Sequence, residues 1–173
     1  MTRLSKIAPE LTRESDETRR ILDEIKKLER EGYSFEDAEG SLSLRILDAL
    51  GKRPDYFRVV DFHVFSRQGE NPSSAQAYVK VEVGGQVEIT ADEGVGPVNA
   101  LDLALRKALS RFYPVLSGMR LADFKVRVVA TYGSASVVRV HIDSTDGESV
   151  FSTVGVSTNV IEASFIVLTD SID

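Results

Sequence analysis

Residues 75–112 read AQAYVKVEVGGQVEITADEGVGPVNALDLALRKALSRF, and this stretch decides the fold. Over its first nine residues every second side chain is apolar, which is typical of a half-buried β-strand. Gly84-Gly85 predicts a tight turn into a further strand, where Val87 and Ile89 continue the alternation. From Pro97 onward the apolar residues recur every three or four positions, which indicates an amphipathic helix.

The same plan occurs twice in the chain. An alternating segment precedes the quoted stretch and completes a βββα unit over residues 56–112, and residues 119–172 repeat the pattern. The second helix, from Asn159, is apolar nearly all round, which predicts burial on two sides. Because a βββα unit has little core of its own, the sequence predicts an α+β fold in which two units pack together as one regulatory domain, over residues 56–173.

The N-terminal part follows a different pattern. Residues 1–12 show no periodicity and are expected to fray, whereas residues 13–51 predict a small two-helix subdomain that links to the rest. Gly32 is expected to end the first helix and Ser34 to cap the second. Each helix has one apolar stripe, so both must pack on each other and on a further surface. Gly40, inside the second helix, is expected to weaken it by about 1 kcal/mol.

Composition narrows the function classes. The chain has 173 residues, no cysteine and a net charge of −6. The absence of cysteine excludes disulfides, thiolate metal sites and thiol catalysis. The negative net charge argues against nucleic acid as a partner, and no apolar run is long enough for a membrane span. A cytoplasmic location without membrane contact is the expectation that fits these observations.

Two histidines lie in strands, each two residues from an aspartate on the same face. The pairs are His63 with Asp61 and His141 with Asp143. Such pairs suit acid–base or metal chemistry. Neither pattern supplies a third ligand, so polar strand faces are the preferred interpretation. The sequence indicates no catalytic constellation, no metal site and no cofactor.

The segment Gly94-Val95-Gly96-Pro97-Val98-Asn99 leads into the first βββα helix. Proline suits the first turn of a helix, where free backbone N–H groups and the helix dipole favour an anion such as a carboxylate. A plain strand-to-helix turn explains the same residues equally well, and both interpretations stay open on this segment alone.

Three separated motifs carry a family resemblance. They are Gly32-Tyr33-Ser34-Phe35-Glu36-Asp37-Ala38-Glu39, the stretch from Glu93 to Asp102, and Ser144-Thr145-Asp146-Gly147-Glu148 together with the stretch from Thr153 to Ser164. In this order they resemble the C-terminal part of citramalate synthases, within the family of α-isopropylmalate synthases and their homologues. The resemblance spans residues 13–172.

The resemblance implies a regulatory role. Members of the family carry a metal-dependent TIM barrel that condenses acetyl-CoA with a 2-oxo acid, pyruvate in citramalate synthases. A helical linker and a regulatory domain of two βββα units follow the barrel. That domain forms homodimers and binds the end-product amino acid, isoleucine for citramalate synthases and leucine for isopropylmalate synthases. The chain is therefore expected to regulate a catalytic barrel of its parent protein and not to catalyse by itself.

The resemblance also implies an effector site, with apolar side chains as a wall and backbone N–H groups for the carboxylate. The implied residues are Gly94, Gly96, Val98, Asn99, Leu121, Phe124, Val128, Ala135, Val137 and Val160. Val95 stands where the family usually has asparagine, so a dimerisation module with an unused ligand site remains an alternative. Isoleucine and leucine differ too little for residue types to separate them.

Overall fold

The computed structural model describes residue 7 and residues 15–67, 74–130 and 135–173. The predicted frayed segment 1–12 lies, apart from Ile7, outside the described residues. The elements in chain order are α1 (Asp16–Glu31), α2 (Glu39–Ala49), β1 (Arg58–Arg67), β2 (Ser74–Val83), β3 (Gln86–Gly94), α3 (Pro97–Ser110), a 3₁₀ helix (Pro114–Gly118), β4 (Arg120–Ala130), β5 (Val137–Thr145), β6 (Val150–Ser157) and α4 (Val160–Ile172).

The predicted α+β fold with two βββα repeats is confirmed. Two three-stranded antiparallel sheets have the orders β1-β2-β3 and β4-β5-β6, and a helix follows each sheet. Both repeats fasten the helix to the last strand in the same way. The hydroxyl of Thr90 donates to the carbonyl of Ala104 at 2.7 Å, and that of Thr153 donates to the carbonyl of Val167 at 3.0 Å.

The chain divides into two compact units. The linker-containing unit comprises the residues up to Pro54 together with Ala122–Asp143 and Phe151–Ser171. The first-repeat unit comprises Asp55–Leu121, Ser144–Val150 and the last two residues.

The first-repeat unit has its core between sheet and helix. The predicted alternation in β2 is confirmed, because its odd-numbered residues, Val79 and Val81 among them, are buried and the even-numbered ones are not. Helix α3 packs on β2 and β3 through its buried apolar side. The Gly84-Gly85 turn is also confirmed, since both glycines have positive φ and Val83 pairs with Gln86.

In β3 the apolar residues of the alternating pattern are exposed and not buried. Val87 and Ile89 lie on the exposed face of β3, with about half of each side chain accessible. The two-residue turn sets a register that pairs the buried Val79 with Thr90, so Thr90 faces α3 instead. Alternation correctly indicated a strand here, but the turn decided which face is buried.

The linker-containing unit has a single core that joins the N-terminal helices to the second repeat. Its buried apolar cluster consists of Ile21, Phe35, Ala38, Leu42, Ile46 and Val154. Val154 lies in β6, so the further surface that α1 and α2 need is provided by the second repeat. The predicted helix end at Gly32 is confirmed, with φ at 115° in the left-handed region that favours glycine.

The predicted cap at Ser34 is wrong. Helix α2 begins at Glu39, and its N-cap is Ala38, without a side-chain hydrogen bond. Phe35 and Ala38 are both buried in the core, and the backbone N–H of Ala38 donates to the carbonyl of Phe35. Core packing of these two side chains holds the segment as a turn and delays the helix.

A buried polar network fastens α2 to β6 and α4. The hydroxyl of Ser41 lies 3.0 Å from the backbone N of Val154 and 3.0 Å from the carboxylate of Asp170. Arg45 donates to the same carboxylate at 2.9 Å, and Arg53 lies 3.6 Å from it. Burial raises the pKa of Asp170 above its ordinary value, although Arg45, Ser41 and Arg53 act in the opposite direction.

Gly40 is explained by close packing on β6. A Cβ atom at this position would lie 2.9 Å from the carbonyl oxygen of Ser152 and 3.0 Å from Cγ2 of Thr153. Alanine would favour the helix by about 1 kcal/mol. The carbonyl oxygen of Ser152 belongs to the backbone of β6 and cannot move away easily, and overpacking of this kind costs about 1–3 kcal/mol. We therefore expect Gly40→Ala to lower the free energy of unfolding by up to about 2 kcal/mol in urea denaturation.

Gly118→Ala is the matched control for this prediction. A Cβ atom at Gly118 meets no heavy atom within 4 Å, and its φ is not positive. Alanine there should leave stability unchanged or raise it by up to about 1 kcal/mol. Equal stability of Gly40→Ala and the unmodified chain would show that β6 gives way at this contact.

Candidate functional site

The turn from β3 into α3 is built around Gly94. A Cβ atom on this residue would lie 2.6 Å from the backbone N of Ala100 and 2.6 Å from Oδ1 of Asn99. Oδ1 of Asn99 accepts the backbone N–H of Val95 at 3.2 Å. Gly94 therefore allows the helix start to approach the strand end, and Asn99 braces the loop between them.

The first turn of α3 carries no acidic residue and no side-chain cap. Gly96 is the N-cap residue, so no side-chain oxygen satisfies the first backbone N–H groups. Pro97 occupies the first turn, as predicted. Uncapped N–H groups and the positive end of the helix dipole attract a negatively charged group.

The corresponding start of α4 satisfies its own N–H groups. Oδ1 of Asn159 accepts the backbone N–H of Ile161 at 2.9 Å and that of Glu162 at 3.4 Å. Glu162 adds a carboxylate in the first turn, and it accepts a hydrogen bond from Ser157 at 2.6 Å. The two repeats therefore differ at equivalent places, and the helix start in the first repeat is the one open to an anion.

The ten residues implied for the effector site fall into two groups. Gly94, Gly96, Val98, Asn99 and Leu121 belong to the first-repeat unit, where the first four share the turn into α3 and Leu121 lies in β4. Phe124, Val128, Ala135, Val137 and Val160 belong to the linker-containing unit. Their joint role as an effector site stays a prediction.

The second group is apolar and accessible. Phe124 and Val128 lie on one face of β4 by strand alternation, and Val137 begins β5. Val128 is 62% exposed and Val160, at the start of α4, is 41% exposed. Single exposed apolar side chains are common on protein surfaces and only a contiguous patch marks a binding surface, so the role of these residues as the wall of an effector site stays a prediction.

The two histidine–aspartate pairs have different surroundings. Nε2 of His63 lies 3.0 Å from the carboxylate of Asp61 on an exposed strand face. Nε2 of His141 instead donates to the carbonyl of Asp37 at 2.7 Å, and its Nδ1 lies 3.9 Å from Asp143. Among the described residues, no group of three or more potential ligands is arranged to hold a metal ion.

A cavity of about 330 Å³ in the linker-containing unit was not anticipated from the sequence. Its walls carry two side chains from β4, Lys125 and Arg127, and two from β5, Arg139 and His141, and we call it the basic cavity. Alternation places Lys125 and Arg127 on one face of β4 and Arg139 and His141 on one face of β5, but only the pairing of the two strands brings these pairs together.

Comparison with known proteins assigns the chain to a family. Residues 36–173 match the model of the LeuA allosteric (dimerisation) domain, and the chain belongs to this family. The match includes α2 and both βββα repeats, and it agrees with the resemblance drawn from the three sequence motifs.

Several curated proteins are similar over most of the chain. An (R)-citramalate synthase of Geobacter sulfurreducens is 48% identical over 90% of this chain and 30% of its own length. An (R)-citramalate synthase of Aquifex aeolicus is 46% identical over 98% of this chain and 33% of its own length. A 2-isopropylmalate synthase of Shewanella baltica is 28% identical over 81% of this chain and 25% of its own length.

The chain thus spans about a third of the length of the citramalate synthases that it matches. No helix in the described part of the chain is both long enough and apolar enough to cross a membrane.

Proposed function

We propose that this chain is the amino-acid sensor of a citramalate synthase, that isoleucine is its preferred effector, and that it acts as a homodimer in feedback inhibition. The observation that carries the proposal is the open N-terminus of α3 behind Gly94 and Gly96, in a chain of the LeuA allosteric family. A free amino acid brings a carboxylate, and such a helix start favours that group.

The two repeats provide an internal comparison that supports this assignment. Asn159 and Glu162 occupy the start of α4 with the chain's own oxygen atoms, whereas Gly96 leaves the start of α3 to another acceptor. An effector carboxylate is therefore expected at the start of α3 in the first repeat, where it would accept hydrogen bonds from the backbone N–H groups of Val98 and Asn99. Asn99 already uses its side chain within the loop and supports the site indirectly.

In each of the two units, considered separately, exposed apolar side chains support the proposal that a protein partner covers them. Val128 and Val160 are exposed in the linker-containing unit, and Val87 and Ile89 are exposed in the first-repeat unit. A second copy of the chain is the partner that we propose, with the amino acid's hydrocarbon side chain against part of the apolar surface.

The regulated activity is proposed to reside in a TIM-barrel domain of the parent protein. This proposal rests on the resemblance and on the citramalate synthases that match the chain and are about three times as long. In that arrangement, effector binding favours one state of the regulatory domain, and α1 and α2 carry the difference onward because they share a core with the second repeat.

Isothermal titration with isoleucine, leucine and valine in parallel tests the proposal. We expect saturable binding of isoleucine, binding of valine that is weaker by a factor of about 10–100 because valine lacks one methylene, and weaker binding of leucine, whose side chain has the same atoms but branches one carbon further out. A preference for leucine would instead support regulation of an isopropylmalate synthase. Absence of binding to a dimer, determined by sedimentation, would leave the dimerisation module as the function.

A further inference from the structure

We propose that the basic cavity of the linker-containing unit binds a small phosphorylated anion, with its phosphoryl group between Arg127 and Arg139. Both residues line the cavity together with Lys125 and His141, all from β4 and β5. The volume of about 330 Å³ is at the lower end of the range for small-molecule sites.

Arg139 is held in place by the segment that joins α1 to α2. Its guanidinium donates to the carbonyl of Gly32 and, at 3.4 Å, to the carbonyl of Tyr33. These neutral acceptors orient the side chain without neutralising its charge. Burial lowers the pKa of Arg139, and the positive charge of the neighbouring Arg127 lowers it further.

The charges around the cavity are mixed. Asp123 forms an ion pair with Lys125 at 2.5 Å and thereby compensates one of the cavity's cations, and Asp143, which also lines the cavity, accepts a hydrogen bond from the neutral hydroxyl of Ser152 at 2.5 Å. Among the described residues, Arg127 forms no salt bridge. An anion that bridges the two guanidinium groups would relieve their repulsion and form the charge-assisted hydrogen bonds that such groups favour.

The first repeat provides a comparison, because its exposed sheet face has balanced charges. Arg58 pairs with Glu82, and His63 pairs with Asp61. Gln76 donates to Glu93 across the strands. The same fold therefore does not require an excess of arginine on its outer face, and the basic cavity is a specific property of the second repeat.

A phosphoryl group fits the cavity better than a polyanion does. It offers three oxygen atoms, which suit two guanidinium groups, and the hydroxyl of Ser34 lies at the same cavity as a further donor. Asp37 and Asp143 also border the cavity, and their charge disfavours an extended polyanion such as nucleic acid. The net charge of −6 disfavours it further.

Inorganic phosphate and pyrophosphate are the probes for this proposal, in titration calorimetry and thermal unfolding at constant ionic strength. We expect both to bind and to raise Tm, while sodium chloride and acetate at the same ionic strength do not. Arg127→Gln should weaken phosphate binding at least about tenfold, the usual effect of losing one charge-assisted contact.

Arg111→Gln is the matched control. Arg111 is an exposed arginine of the first-repeat unit that pairs with Glu88 at 2.8 Å and does not line the basic cavity. It should bind phosphate as the unmodified chain does. Equal phosphate affinity of Arg127→Gln and the unmodified chain, or an equal effect of chloride and phosphate, would overturn the proposal.

The outcome is separable from that of the proposed amino-acid sensor. The probes carry no amino group, and the substituted residue is not among those implied for the effector site. Isoleucine binding without phosphate binding would overturn this inference alone, and phosphate binding without isoleucine binding would leave it standing.

Discussion

Gly96→Asp is expected to abolish isoleucine binding while the domain stays folded. Gly96 is extended, with φ at −170°, and a Cβ atom there meets no heavy atom within 4 Å. Aspartate is a favourable N-cap residue, so its carboxylate would accept the N–H groups of the first turn of α3. It would thereby occupy the position proposed for the effector carboxylate and repel that group.

Titration calorimetry should show an affinity reduced by at least about 100-fold, since one charge-assisted hydrogen bond and one like-charge contact each contribute about 1.5–3 kcal/mol. Tm should be unchanged or slightly higher, as expected of a better cap. Unaltered isoleucine affinity in a folded variant would remove the α3 start from the site.

Gly96→Asn tests whether a side chain that occupies the position of the effector carboxylate is enough to weaken binding, or whether its negative charge is also needed. Asparagine caps a helix about as well as aspartate and has nearly the same shape, but it is neutral. It should weaken isoleucine binding clearly less than aspartate does. If both variants lose the same affinity, steric or hydrogen-bond competition explains the effect, and repulsion between charges does not.

Asp170→Ala is expected to cause the largest loss of stability among the substitutions considered. The side chain is 5% exposed and is shared by Arg45, Arg53 and Ser41. Its removal leaves the hydroxyl of Ser41 without this acceptor, whereas Arg45 and Arg53 keep Asp48 as an ion-pair partner. The cost should therefore lie below the roughly 3–5 kcal/mol of a buried charge that loses its only partner, and we expect a decrease of about 2–3 kcal/mol in the free energy of unfolding, measured in urea.

Asp55→Ala provides the control for the loss of one aspartate. Asp55 is exposed, and substitutions at such positions usually change stability by less than about 0.5 kcal/mol. A similar small change for Asp170→Ala would mean that α2 is held to α4 by apolar contacts alone.

The difference in stability between the unmodified chain and Asp170→Asn should depend on pH. Because the pKa of Asp170 is raised in the folded chain, the folded state binds more protons than the unfolded state between the two pKa values. Its contribution to stability is therefore fully present below the unfolded pKa and declines as pH rises through the folded pKa. The stability of the unmodified chain relative to Asp170→Asn should decrease with rising pH over this range.

Sequence patterns predicted the architecture well where local physics decides it. The alternation in β2, the Gly84-Gly85 turn and the end of α1 at Gly32 depend on neighbours in sequence, and all three are confirmed. The start of α2 was predicted wrongly at Ser34, because burial of Phe35 and Ala38 outweighed a good capping residue. Long-range packing of this kind leaves no local signal.

In the candidate sites, too, the local features were predictable from the sequence and the long-range contacts were not. The sequence located the glycine-rich turn, but it could not show that Asn99 braces the loop while Asn159 caps its own helix. Both are asparagines near a helix start, but Asn99 lies three residues after the N-cap residue Gly96, whereas Asn159 directly precedes the first residue of its helix. The basic cavity depends on the pairing of β4 with β5 and on the segment after Gly32. Neither relation is visible in a linear pattern.

The shared core of the linker helices and the second repeat bears on how a LeuA allosteric domain can be exchanged between enzymes. Ile46 and Leu42 pack in one cluster with Val154, and Gly40 lies directly against the backbone of β6. A gene fusion that joined a new catalytic domain at residue 55 would separate these partners and expose their apolar faces. A recombination that preserves a working sensor must therefore carry α1 and α2 along, so that the inherited module begins well before the first βββα repeat.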